Sequence, residues 1–137
     1  MAASTIPFKL ITPTKVVFEG DAELVIAVTT EGEEGILPHH APFLAALKPG
    51  VLRANVVQSA GGNRLELATS EGFMQALPDR LTVLVDEALA FDDIDVASTR
   101  EDLAAAQERQ KNVTGDAYAR EQAIIDFANA KLRLTGH

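Results

Sequence analysis

Cysteine and tryptophan are absent from this chain, and aromatic residues make up only 5% of it. Without cysteine there can be no disulfide framework, thiolate zinc site or cysteine nucleophile, so 137 residues must be held by one ordinary hydrophobic core. The lack also fits a reducing compartment. So few aromatics, with no tryptophan, make a sugar-binding cleft a poor expectation. Positive charge is equally scarce, with 12 Lys and Arg against 20 Asp and Glu and a formal net charge of −8. Lys9, Lys15, Lys48, Arg53, Arg64 and Arg80 are scattered, with no polybasic run. Such a chain is repelled by phosphate backbones and anionic headgroups, which argues against nucleic-acid binding and direct membrane docking. No segment reaches the ~18 consecutive apolar residues of a membrane-spanning helix. The opening Met1-Ala-Ala-Ser-Thr-Ile-Pro-Phe8 has neither the basic nor the apolar region of a signal peptide. The expectation is an intracellular protein that works at a membrane only if a partner holds it there. Gly-x-Ser-x-Gly, a phosphate-binding loop and a strand–glycine-loop–helix unit are all missing, so catalysis is not expected.

What is present divides near residue 90. All six prolines and seven of the nine glycines precede it, while the last 47 residues contain nine alanines and no proline. The front half reads as short strands punctuated by turns. Phe8–Ile11, Lys15–Phe18, Ala22–Thr29, Val51–Ser59, Arg64–Ala68, Phe73–Leu77 and Leu81–Val85 are the clearest runs. Within Val51–Ser59 the set Leu52, Ala54, Val56 alternates with Val51, Arg53, Asn55, Val57. Breaks are expected at Glu19-Gly20, Glu31–Gly35, Gly61–Asn63, Glu71-Gly72 and Pro78–Arg80. Eight to ten short strands suit two packed layers, so residues 1–88 are predicted to form a β-sandwich.

Residues 91–137 are predicted to form a separate helical unit, an antiparallel two-helix hairpin. The acids Asp92, Asp93 and Asp95 suit a helix start better than a calcium cluster. The spacing predicts helices over 94–111 and 116–134, with Thr114 or Asp116 capping the second. Tyr118, Ile125, Ala128 and Leu132 share one face of the second helix, widened by Ile124 and Phe127. An alanine-rich contact from Ala97, Ala104, Ala105, Ala106, Ala123 and Ala128 would bury little area, so docking is expected to contribute only about a few kcal/mol.

The densest cluster of polar chemistry is Glu31-Gly-Glu-Glu-Gly-Ile-Leu-Pro-His-His-Ala-Pro-Phe43. One reading is a metal-dependent β-sandwich or cupin-like enzyme using Glu33, His39 and His40. Adjacent residues on an extended chain point to opposite sides, which argues against both histidines sharing one ion. A glycine-hinged loop is favoured, with one histidine at the surface and the other partly buried. No metal or cofactor is expected, and a free-standing interaction module is a further reading.

Several segments together resemble the epsilon subunit family of F-type ATP synthases. They are Phe8-Lys-Leu-Ile-Thr-Pro-Thr-Lys-Val-Val-Phe-Glu-Gly20, then Thr30–Phe43 followed by Leu47-Lys-Pro-Gly50, then Gly72-Phe73, and Asp79–Ala88. Order and spacing agree across almost the whole chain. The resemblance implies a ten-stranded sandwich followed by a helical hairpin, in a rotor subunit of the central stalk that catalyses nothing itself. It implies contacts of Thr12 and His40 with the gamma subunit, and of Glu31 and Glu33, in the turn Glu31–Gly35, with polar loops of the c-ring. It also implies a hairpin that extends towards the alpha and beta subunits and inhibits ATP hydrolysis. The place implied is the cytoplasmic face of the bacterial inner membrane, peripheral and held through the proton-translocating complex. Some family members bind ATP through Ile-Asp-x-x-Arg. Here Ile94-Asp95-Val-Ala is followed by Ser98, and Phe127 and Lys131 stand where arginines would be expected on the second helix. Asp95 is therefore an incomplete nucleotide-binding candidate, and tight ATP binding is not expected.

Overall fold

The computed structural model describes residues 4–57 and 64–137. The anticipated turn at Gly61–Asn63, and the end of the strand before it, lie outside the described residues. Among those described, nine strands precede two helices. β1 (Ile6–Ile11) and β2 (Val16–Thr29) form an antiparallel hairpin. Its turn closes where the Thr12 N–H donates to the Lys15 carbonyl at 2.9 Å. β2 is one strand where the sequence suggested two, because Gly20 is a packing residue and not a break. A Cβ there would stand 3.0 Å from the Phe18 ring. Near this point the register shifts, between Ala22 and Leu24. The first half of β2 pairs with β1 and the second with β3 (Gly32–Ile36) and β5 (Gly50–Val57), carrying the chain from one layer to the other.

The remaining strands are β4 (Phe43–Leu47), β6 (Arg64–Thr69), β7 (Gly72–Leu77), β8 (Arg80–Val85) and β9 (Ala88–Leu89). One layer runs β4-β7-β8-β1, with β1 and β8 parallel, and the other runs β3-β2-β5-β6-β9. Two expectations need correction. Glu31–Gly35 is not a turn, since Gly32–Ile36 pairs with Val25–Thr29 and the turn itself is only Thr30-Glu31. Glycine and glutamate are weak strand formers, and here ladder bonds to an already placed β2 outweigh that propensity. The other correction is β4, which has no polar/apolar alternation for a sequence to display. Between the layers lie Phe8, Leu10, Met74 and Val83 from one side and Val25, Ala27, Leu52 and Val56 from the other, all buried. The alternation in β5 is realised, with Leu52, Ala54 and Val56 inside.

A single 3₁₀ turn at Phe91–Asp93 leads to α1 (Val96–Gln110) and α2 (Gly115–Leu134). Ile94 is extended and does not open α1. Asp95 is the N-cap, its Oδ1 accepting from the Ser98 N–H at 3.1 Å. α2 lies on β5 and β6, and α1 lies on α2. A second, smaller core joins α2 to the sheet. Phe127 and Ala130 meet Ala68 there, flanked by Val51, Leu89, Ile94 and Leu134. The alanine contact is narrower than anticipated, because Ala106 and Ala128 are buried whereas Ala97, Ala104 and Ala105 are exposed. Polar pairs supplement it. Arg109 Nε donates to both oxygens of Glu121 at 3.0 and 2.9 Å, and Gln110 donates to Gln122 at 2.8 Å. Tyr118 and Ile124, assigned to the packing face, are largely exposed, because the docked stripe is centred on Ile125, Ala128 and Leu132.

Candidate interaction surfaces

The two outer faces of the sandwich differ. The β5/β6 face is covered by α2. The outer face of β4-β7-β8-β1 has no helix packed on it among the described residues. Its registers align Ala46, Phe73, Leu84 and Ile11 in one row across four strands. The next outward row is Leu44, Gln75, Thr82 and Lys9. Leu44 is 72% exposed, Phe73 58% and Leu84 43%. A contiguous apolar row left open on a small domain is the signature of a partner surface, whereas isolated exposed leucines are not. A hollow of about 410 Å³ runs along it, lined by Pro13, Ala46, Phe73 and Leu84 and edged by Lys48 and Glu71.

Thr12 follows β1 at one end of this face, half-buried, its hydroxyl donating to the Lys15 carbonyl at 3.4 Å. His40 lies at the opposite end, before β4, which runs parallel to β1 by way of β7 and β8. The two residues thus bracket the apolar row without touching. His40 Nδ1 donates to the Ala41 carbonyl at 2.7 Å, and its ring meets Phe43 edge-on at 5.6 Å. Its Nε2 is buried without a hydrogen-bond partner among the described residues. His39 is exposed and has φ 67°, an uncommon conformation for a side-chain-bearing residue.

Glu31 is exposed in the β2–β3 turn, its N–H donating to Thr29 Oγ1 at 3.1 Å. Glu33 is exposed on β3 and pairs with Arg53, Nη2 to Oε2 2.7 Å. The Thr30-Glu31 turn lies at the same end of the molecule as Thr12, since Thr29 aligns with Leu47, Gly72 and Val85 across to β1. Glu33, His39 and His40 do not converge: Glu33 is held by Arg53, and His40 turns to the Ala41 carbonyl. Among the described residues no three His, Asp or Glu side chains gather as a metal site. Nor is any helix among them long and apolar enough to cross a membrane. The Asp95 carboxylate is engaged in capping α1.

Phe73, Leu84 and Leu44 are the residues that sequence reasoning overlooked. Phe73 and Leu84 were placed in strands, but nothing in either strand told which face would be covered. Leu44 could have been suggested only by recognising β4.

This geometry defines the class: a β-sandwich followed by a helical hairpin, with one outer face covered by α2 and the other bare of helix among the described residues. Residues 5–91 match the family model described as the beta-sandwich domain of the ATP synthase delta/epsilon chain. The ATP synthase epsilon chain of Chromobacterium violaceum is 36% identical over 126 residues, 91% of this chain and 89% of that protein. The epsilon chain of Xanthomonas campestris pv. campestris is 39% identical over 131 residues, 96% and 91% of the two chains. In solved structures, a chain of the Euglena gracilis mitochondrial ATP synthase OSCP/F1/c-ring assembly superposes with a TM-score of 0.78. That match covers all of this chain and 84% of the other at 19% identity, a likeness of fold. The chain belongs to the ATP synthase delta/epsilon family, among its epsilon chains. It is thus a non-catalytic subunit of that synthase, as the sequence reading expected.

Proposed function

We propose that this chain is the central-stalk rotor subunit that joins gamma to the c-ring, with its helical hairpin restraining ATP hydrolysis. The observation that carries the reading is the inequality of the two outer faces. The face covered by α2 is self-satisfied, while the row Ala46, Phe73, Leu84, Ile11 has nothing to bury against within the described chain. Gamma would cover that row, with Thr12 at one margin and His40 at the other. Phe73, a large aromatic at the centre of the row with Leu84 beside it, is suited to anchor it, as a few central side chains carry most interface energy. Glu31 and Glu33 would meet polar loops of the ring beyond the adjacent end, through short-range charge pairs. Two structural neighbours support the ring contact: they come from the OSCP/F1/c-ring assembly of the Euglena gracilis mitochondrial ATP synthase and the central stalk and c-ring of the Tetrahymena thermophila one. On this reading the chain works on the cytoplasmic side of a bacterial inner membrane, held there by its partners. The hairpin's small core and polar α1–α2 contacts suit an element that can leave its seat and rise towards alpha and beta.

The test is association of the purified full chain with gamma. Phe73→Asp is expected to weaken binding by about 100-fold, in the range of interface anchors, with the melting temperature little changed because Phe73 is mostly exposed. Equal binding by the variant would remove this face from the interface and the reading with it.

A further inference from the structure

The Glu33–Arg53 pair joins strands that are not neighbours. Glu33 stands opposite Val28 on one side of β2, and Arg53 stands opposite Ile26 on the other. The side chain of Arg53 therefore reaches over β2, spanning two inter-strand gaps of about 10 Å in total, to place Nη2 2.7 Å from Glu33 Oε2. On its other flank Arg53 lies opposite Glu66, whose Oε1 accepts from Arg64 Nε at 3.1 Å. Arg133 and Leu134, at the end of α2, close the same small cavity over Val28, Val51 and Arg53. Among the described residues Glu33 Oε1 has no hydrogen-bond partner.

From this arrangement we infer that Arg53 is a positioning residue for Glu33. It holds one carboxylate oxygen so that the other is presented at a fixed place to a polar or cationic group on the c-ring. The inference rests on the proposed ring contact of Glu33. A free glutamate on an exposed strand samples several rotamers, and holding one of them in advance reduces the ordering cost on binding. The opposing effect is that Arg53 partly neutralises the charge a basic ring loop would seek. Glu33 keeps one oxygen open, and its side chain is 58% exposed, where water screens the pair strongly. Screening weakens the pair's hold as well, so the gain from preorganisation is modest, of the order of a few-fold in affinity.

The experiment titrates labelled full-length chain into a detergent-solubilised gamma–c-ring complex lacking this subunit. Arg53→Gln, Glu33→Gln and the double variant are compared, with Arg53→Lys as the conservative rescue. Arg53→Gln and Glu33→Gln should each weaken binding by about 3–10-fold, as expected for one immobilised side chain. The double variant should bind no worse than Glu33→Gln alone, and Arg53→Lys should recover most of the loss. Hydrogen exchange of α2 should be the same in all four. Unchanged or tighter binding by Arg53→Gln, with Glu33→Gln still weak, would overturn the positioning role and leave the ring contact standing. Multiplicative losses in the double variant would also overturn it. If Glu33→Gln has no effect, the ring contact itself fails. Faster α2 exchange in Arg53→Gln, unrescued by lysine, would make Arg53 a fastener of the tail instead.

Discussion

At Gly72 the chain has no room for a single carbon. A Cβ would lie 1.9 Å from the Leu84 carbonyl oxygen and 2.7 Å from the Val85 Cα, both backbone atoms that cannot swing aside. Gly72 is the first residue of β7, aligned with Leu47 and Val85, so the contact is the close approach of β7 and β8. In the sequence it reads as a turn glycine after Glu71, the right residue for a different reason. Gly72→Ala is expected to cost about 3 kcal/mol by overpacking, lowering the melting temperature by about 10–15 °C. Gly20→Ala meets only the ring of Phe18, which can move, and should cost less. Equal melting temperatures for Gly72→Ala and the parent would show that the strands separate readily there. The acids Asp92, Asp93 and Asp95 announce a helix start, but only the structure shows that Asp95 is the cap and that Ile94 lies outside the helix.

Among the elements, α2 has most of the tail's connection to the sandwich. Its Phe127 is 8% exposed and packs with Ala130 on Ala68, while Lys131 Nζ sits 4.6 Å from the centre of the Phe127 ring. α1 contributes mainly through α2, with Thr99 and Ala106 as its buried residues. The tail should therefore leave the sheet without unfolding it. Phe127→Ala is expected to weaken docking by about 3 kcal/mol. By native-state hydrogen exchange, α2 amides should lose roughly a hundredfold in protection while β1 and β8 amides keep theirs. Equal loss in both would mean one cooperative unit, incompatible with a movable hairpin. Helix periodicity placed α2 well because its 3.6-residue pattern lies within one segment. It overstated the packing face, since Tyr118 and Ile124 border the stripe that the sheet covers.

For the whole molecule, function depends on which surfaces are left over after folding. One layer is capped by the chain's own helices and the other presents an apolar row bracketed by Thr12 and His40. In the assembled synthase, removing residues 91–137 is expected to raise ATP hydrolysis several-fold while ATP synthesis persists. Both are measured on the same membrane vesicles. No change in hydrolysis would leave the hairpin without the inhibitory role proposed for it. The net charge of −8 adds that contacts through Glu31 and Glu33 with cationic groups should weaken as salt rises, whereas the Phe73–Leu84 contact should not.

By itself the sequence determined the sandwich class, the alternation of β5 and the acidic approach to α1. These depend on turn residues and periodicity, which are local. Only the tertiary structure decided that Gly32–Ile36 is a strand, that Leu44, Phe73 and Leu84 fall on one open face, and that Arg53 reaches across β2 to Glu33. Alternation along a strand tells which residues point the same way. Which strands become neighbours, and which face is then covered, follows from non-local pairing and from where α2 docks.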